Sequence, residues 1–206
     1  MIDLEALKAA IIKGKRNDVS SIIQAAIDTN ENVNLILDQG MIPAMREIGD
    51  RFSRNEAYVP ELLIAARAMQ AGLTLLEPLI ASSGRVARAK IAIGTVKGDL
   101  HDIGKNLVAI MLKGAGFDVV DLGVNCDIAK YEEGVAQGAT ILACSSLLTT
   151  TMSYMKEIAA HFKGKGVKII IGGAPLTQAY CDEIGADGYS EDANGAVHLV
   201  EALLAG

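Results

Sequence analysis

Arginine is missing from residues 90–206. That stretch holds nine lysines against 14 acidic residues, whereas residues 1–89 are near neutral, with ten basic and 11 acidic residues. A surface that clamps phosphate or nucleic acid wants arginine forks and a basic patch. Nucleic acid is therefore excluded as the ligand of the second half. Cysteine is scarce as well. Cys126, Cys144 and Cys181 are widely spaced and form no C-x-x-C pair. Neither a disulfide framework nor a zinc site fits that spacing. Three buried thiols in a reducing compartment are expected instead. No apolar run reads as a bilayer span, and the opening MIDLEALKAAIIKGK lacks the layout of a signal peptide. These absences predict a cytoplasmic protein with no membrane partner. Histidine occurs three times, as His101, His161 and His198, in three different segments. An all-protein metal cage is not expected from so dispersed a set.

What is present falls into two halves of different period. The chain has 206 residues, is 50% hydrophobic and carries a formal charge of -6, enough for one large domain or two small ones. The first half reads as helices alone. Leu4, Leu7, Ile11 and Ile12 share one helical face. Asp18 is expected to cap a second helix, with Val19, Ile22, Ile23, Ala26 and Ile27 on one side. The stretch 32–52 gives a third helix, broken by Gly40 and Pro43, and 59–80 a fourth with Pro60 in its first turn. Together they predict a four-helix bundle over 1–82, with Met41, Met45 and Met69 in its core. A small, polar and charged linker follows over 83–89.

The second half, 90–206, alternates short apolar runs with amphipathic segments. Strands are expected at 90–96, 118–123, 140–145, 167–173 and 186–190. Helices are expected near 102–115, 127–138, 151–163, 175–184 and 193–205. Five such units predict an α/β domain, a flavodoxin-like, doubly wound, five-stranded parallel sheet. Ligands of such sheets bind at the carboxyl ends of the strands. Four loops there carry small or polar residues: 98-GDLHDIG-104, Ser145 and Ser146, Gly172 and Gly173, and 190-SEDAN-194. Three common occupants of the fold each miss a residue. The first loop lacks G-x-G-x-x-G. It has one residue too many for a P-loop, with Asn106 where a Ser or Thr would hold magnesium. A phosphorelay receiver wants aspartate at the end of the third strand, where this chain has Cys144 and Ser145.

Asp99-x-His101-x-x-Gly104 resembles the D-x-H-x-x-G signature of cobalamin-binding domains. The run 145-SSLLTT-150 is similar to the family's S-x-L segment, and Gly172-Gly173 to its later glycine pair. The resemblance covers essentially the whole chain. It is closest to the small corrinoid proteins of methyltransferase systems and extends to the cobalamin module of cobalamin-dependent methionine synthase.

The resemblance implies a cofactor, namely cobalamin (as methylcobalamin or cob(I)alamin) or a related corrinoid, bound base-off. It implies that His101 is the cobalt ligand, backed by Asp99 on its other ring nitrogen, with Thr151 extending the relay by a hydroxyl. Gly98, Leu100, Asp102 and Gly104 would flank the ligand. Ser145, Leu147, Thr149, Gly172, Gly173 and Ala193 would line the slot for the nucleotide tail. The run 56-EAYVPELL-63, with Tyr58 and Val59, resembles the segment that covers the corrin's upper face. An apolar lid there would exclude water. The implied partners are a substrate-specific methyltransferase, a second methyltransferase acting on tetrahydrofolate or a thiol coenzyme, and a corrinoid reductive activase. The linker then reads as a hinge. The chain reads as a methyl carrier rather than a complete enzyme, since cap and cofactor domain use its whole length. Two alternatives share the signature, a cobalamin-dependent mutase subunit and a cobalamin-based sensor. The first usually adds a catalytic barrel, and the second needs a DNA-binding element for which the chain offers no basic face.

Overall fold

The computed structural model describes residues 2–83 and 88–205. The chain divides into two compact units, Met1–Val86 with Gly114–Gly116, and Ala87–Lys113 with Phe117–Gly206. The expected linker at 83–89 falls largely on residues 84–87, outside the described residues.

The first unit is helical. Its elements are α1 (Leu4–Ile12), α2 (Arg16–Asp28), α3 (Val33–Leu35), a π-helical turn (Ile36–Met41), α4 (Ile42–Ser53) and α5 (Val59–Ser82). Asp3 caps α1 by accepting the Ala6 amide at 2.9 Å, satisfying one of the orphan donors of a helix start. Asp18 does not cap α2. Gly14, at φ +66, ends the preceding turn, so α2 starts already at Arg16. Asp18 then lies inside the first turn, 3.5 Å from Lys15 Nζ. Nor do Gly40 and Pro43 break the third helix. The backbone stays right-handed α at Ile36, Met41 and Ile42. The π turn changes the bonding pattern just before Pro43, which has no amide hydrogen to give.

The apolar stripes of these helices converge on one core. Leu7, Ile11, Val19, Ile23, Met41, Met45, Ile48, Leu62, Met69 and Leu76 are all buried. Contrary to the expectation, among the described residues one helix, the 24-residue α5, is long and apolar enough to cross a bilayer, with a mean hydropathy of 1.3 over 18 of its residues. The helix has nearly the length expected, but Glu61, Arg67 and Glu77 interrupt it as an apolar run, and only its average over 18 residues is apolar enough. Its buried stripe, Leu62, Ala65, Ala68, Met69, Gly72 and Leu76, is one face only, the pattern of a bundle helix.

The second unit is an α/β sheet. Its elements are β1 (Lys90–Val96), α6 (Ile103–Gly114), β2 (Asp118–Cys126), α7 (Ile128–Ala136), β3 (Ile141–Ser145), α8 (Thr149–Met152), α9 (Tyr154–Phe162), β4 (Lys168–Gly172), α10 (Gln178–Ile184), β5 (Gly188–Ser190) and α11 (Ala193–Ala205). All pairings are parallel and the order is β2-β1-β3-β4-β5. That is the flavodoxin-type order, with its topological switch between β1 and β3. β1 is buried along almost its whole length, as a central parallel strand covered on both faces must be. The strands end in one aligned row. Thr95 pairs with Ser145, Ser145 with Gly172, and Gly172 with Ser190. Every member is small, so the loops leave the sheet from a low ledge.

Candidate functional site at the carboxyl edge of the sheet

The loop after β1 turns sharply. Gly98 has φ +85, a conformation open to glycine at little cost. Its amide donates to Asn125 Oδ1 at 2.8 Å, and the Asn125 amide donates to the Asp99 carbonyl at 3.0 Å. The end of β2 thus locks the loop from one side. Thr95, fully buried, donates its hydroxyl to the His101 carbonyl at 2.8 Å. The backbone on both sides of Asp99 is therefore fixed.

Asp99 is fully buried and His101 is not. The His101 side chain is 51% exposed against 0% for Asp99, with Nδ1 2.6 Å from Asp99 Oδ1. The His101 backbone amide donates to the same oxygen at 3.0 Å. The other oxygen, Oδ2, accepts the Leu147 amide at 2.7 Å. It also lies 3.3 Å from both the Ser146 and Thr151 hydroxyls. Burial alone would raise the carboxyl's pKa. The hydrogen bonds from the His101 and Leu147 amides and from the ring outweigh it and hold Asp99 well below the usual carboxylate range. An ionised partner at Nδ1 sets the tautomer with the proton on Nδ1 and leaves the Nε2 lone pair outward. Among the described residues nothing hydrogen-bonds Nε2.

The other expected residues lie around this pair with varied exposure. Gly104, in the first turn of α6, has open space where a Cβ would stand. Leu100 is 71% exposed and Leu147 45%, and Ile103, at the start of α6, and Leu148, just before α8, are exposed apolar residues as well. Ser145 ends β3 and Thr149 begins α8. Ala193 is buried at the start of α11. Asp102 turns away from the ring. Its Oδ2 accepts from the Asn106 side chain at 3.1 Å, and its carbonyl accepts the Asn106 amide at 2.7 Å. Gly173 has a reason internal to the fold: at φ +135, a Cβ there would overlap the Ser146 carbonyl oxygen. Gly172 is tight as well, its Cβ position lying 3.3 Å from the Ser190 carbonyl oxygen. Tyr58 and Val59 belong to the helical unit. Tyr58 is 68% exposed at the start of α5, its amide bonded to Glu61 Oε2 at 2.8 Å. Leu62, in the same run, is buried in the bundle core.

Two features carry no sequence signal of their own. Ser146 fills the free middle position of S-x-L, yet it is 1% exposed and its hydroxyl touches both Asp99 and Thr151. Lys105 is 2% exposed and binds both Asp121 oxygens, at 2.6 and 2.7 Å. A lysine beside Asn106 reads as surface until β2 is known to run alongside α6.

What the arrangement can hold follows from its parts. Among the described residues no group of three His, Cys, Asp or Glu side chains could hold a metal ion. A single imidazole with a free, directed nitrogen suits a metal that arrives with its other positions already filled. The apolar side chains Leu100, Ile103, Leu147 and Leu148 around it suit a large flat macrocycle better than a hydrated ion. A corrinoid meets both requirements.

Comparison with known proteins agrees. The B12 binding domain family matches residues 89–198, and a second B12 binding domain family matches residues 3–77. A corrinoid protein of Desulfitobacterium hafniense is 38% identical over 98% of this chain and 97% of its own length. The dimethylamine corrinoid protein of Methanosarcina barkeri is likewise 38% identical, over 98% of this chain and 97% of that protein. Among solved structures, the methanol:cobalamin methyltransferase complex MtaBC of Methanosarcina barkeri contains a similar chain. It matches with a TM-score of 0.86 at 26% identity, over 98% of this chain and 80% of that one. With two cofactor-domain families spanning both halves and relatives similar along their whole length, the chain belongs to the corrinoid proteins of methyltransferase systems and takes a corrinoid as its cofactor.

Proposed function

We propose that the protein binds a cobalamin-type corrinoid base-off, with His101 as the lower cobalt ligand, and carries a methyl group between two methyltransferases. The single observation that carries this reading is the His101–Asp99 pair. A buried, ionised carboxylate holds Nδ1 at 2.6 Å, while the other ring nitrogen faces outward. When bound, the corrinoid supplies a cobalt centre that accepts and gives up a methyl group. The chain's own residues supply the rest. His101 donates a lone pair. Asp99 orients the ring and raises its basicity, and Thr151 supports Asp99 through its hydroxyl. Gly98, Leu100, Asp102 and Gly104 border the ligand. Ser145, Leu147, Thr149, Gly172, Gly173 and Ala193 receive the nucleotide tail. Residues 1–82, with Tyr58 and Val59 among them, act as the cap domain, 83–89 as its linker, and 90–206 as the cofactor domain.

The similarity to a dimethylamine corrinoid protein and to a chain of a methanol:cobalamin methyltransferase complex supports a substrate-specific methyltransferase as donor partner. It also supports a methylamine or methanol as the class of methyl source. A second methyltransferase, acting on tetrahydrofolate or a thiol coenzyme, takes the methyl group. A corrinoid reductive activase would be the third partner. Three free, buried cysteines suit a reducing cytoplasm.

The test is spectroscopic. The apoprotein is reconstituted with cobalamin, and His101→Ala is compared with wild type. Wild type should give a spectrum with protein nitrogen on cobalt and the benzimidazole displaced, and the variant should lose the nitrogen. A variant that keeps it removes His101 as the ligand. Preference for adenosylcobalamin with a light-driven change of oligomeric state would favour a sensor instead.

A further inference from the structure

The Asp99 carboxylate could rotate about its Cβ–Cγ bond, and only a rotamer with one oxygen on the ring serves His101. Two things hold that rotamer from the far side, and both come from the loop after β3 and the short helix α8 that follows it. The first is the Leu147 amide, 2.7 Å from Oδ2. The second is a pair of hydroxyls, Ser146 and Thr151, each 3.3 Å from Oδ2 and 2.8 Å from one another. They also share an acceptor, the Leu148 carbonyl, at 3.2 and 3.1 Å. Two hydroxyl protons thus serve a carboxylate oxygen, a carbonyl and each other. The hydroxyls are not equivalent. Thr151 is partly exposed, so water can stand in for its hydroxyl, whereas Ser146 is 1% exposed and nothing can replace it.

Ser146 in turn rests on the glycine pair. Its amide donates to the Gly172 carbonyl at 3.2 Å. Its carbonyl lies against the Gly173 α-carbon so closely that a Cβ there would overlap the oxygen and come within 2.9 Å of the carbonyl carbon. A side chain at 173 would push the β3 loop off the sheet edge and carry both Ser146 and the Leu147 amide away from Asp99.

We infer that Ser146 is a positioning residue for the cobalt ligand, and that Gly173 serves the His101–Asp99 pair by seating Ser146, apart from any contact with the nucleotide tail. This inference rests on the reading of His101 as the ligand. It assigns the glycine pair a second task on the opposite side of the β1–β3 switch point.

Cobinamide, a corrinoid without the nucleotide tail, separates the two tasks. The full chain is prepared as wild type, Ser146→Ala, Thr151→Ala and Gly173→Ala, and each fold is checked by circular dichroism. Each is titrated with cobinamide and with cobalamin. The axial nitrogen is read from the electron paramagnetic resonance of the cob(II) form, and the His101 tautomer from 15N spectra of the apoprotein. Ser146→Ala should weaken cobinamide binding about tenfold, lower the fraction with nitrogen on cobalt and shift the ring from a single tautomer to a mixture. Thr151→Ala should do less. Gly173→Ala should show the Ser146→Ala defect with cobinamide as well as with cobalamin. The inference is overturned if Ser146→Ala matches wild type in tautomer and cobinamide affinity. It is also overturned if Gly173→Ala impairs cobalamin binding alone. Should Gly173→Ala not fold, Ser146→Ala decides by itself. Loss of the nitrogen signal in His101→Ala shows that the ligand reading stands, so a failure here touches only Ser146.

Discussion

Asp99 gathers donors from its own loop and from the loop after β3, and burial keeps water out of that contest. Such a carboxylate stays ionised in acid that would protonate an exposed one. Its depressed folded pKa contributes stability that is fully present above the ordinary carboxylate value of ~3.9. That contribution is lost only as the pH falls through the depressed folded value. Asp99→Asn should therefore be less stable than wild type in urea at neutral pH. The gap should still be open at about pH 4.5 and close only in stronger acid. A gap that does not narrow as the pH falls from about 4 to about 2 would mean an ordinary carboxylate. The same variant should still take up corrinoid, with affinity lowered about tenfold or more, and its cobalt reduction midpoint should move. The cysteines lie at the other extreme. Cys144 is pushed up to about 12, chiefly by burial, and burial also raises Cys126 and Cys181. They are packing residues, as their scatter through the sequence suggests.

At the level of elements, α6 is fastened to β2 by an uneven ion pair. Lys105 is almost completely buried, while the Asp121 side chain is 42% exposed. Burial raises the Asp121 carboxyl, but hydrogen bonding to Lys105 outweighs it and holds it low. Removing either partner should therefore not cost the same. Asp121→Ala strands a buried ammonium with only the Asn106 side-chain oxygen, 2.7 Å away, and should cost roughly 3 kcal/mol. Lys105→Met leaves a carboxylate that water can reach, and should cost under about 1 kcal/mol. Urea midpoints of the two variants measure this, and equal losses would contradict the burial argument.

The elements also mark what a linear reading can and cannot reach. Five strands and the helices between them were legible because the hydrophobic period changes from helical to short runs at residue 90. Strand β2 was not legible past residue 123. Gly123 and Asn125, both at positive φ, look like a turn. The sheet absorbs them by register shifts, so that Gly94 pairs with Gly123 and Val96 with Cys126. Asp99, His101 and Thr151 were visible through the spacing of a resemblance. Ser146 was placed at the strand ends but given no role, and Lys105 was not singled out, since both roles depend on which loop or strand lies alongside, which no local pattern encodes.

Over the whole molecule, the relatives match along nearly their full length, so this chain is built on the same plan as the named corrinoid proteins. A methyl carrier has a simple signature in solution. The reconstituted protein alone should show no turnover with methylamines or methanol, and turnover should begin when a cognate methyltransferase is added. Demethylation of such a substrate by the chain alone would contradict the carrier reading. The apolar helix α5 belongs to this account too. With one face buried in its bundle, it should not draw the protein onto lipid vesicles, and co-flotation with them would overturn its assignment as a bundle helix.

The aligned row of Thr95, Ser145, Gly172 and Ser190 at the ends of neighbouring strands bears on how this protein can change over time. Its four members are far apart in sequence yet share one ledge. Substitutions there should be judged together. In a saturation-mutagenesis screen for corrinoid retention, bulky replacements at any of the four should be depleted alike. Evolution of cofactor preference in this chain would then proceed through the loops above the ledge, with the ledge itself left almost untouched.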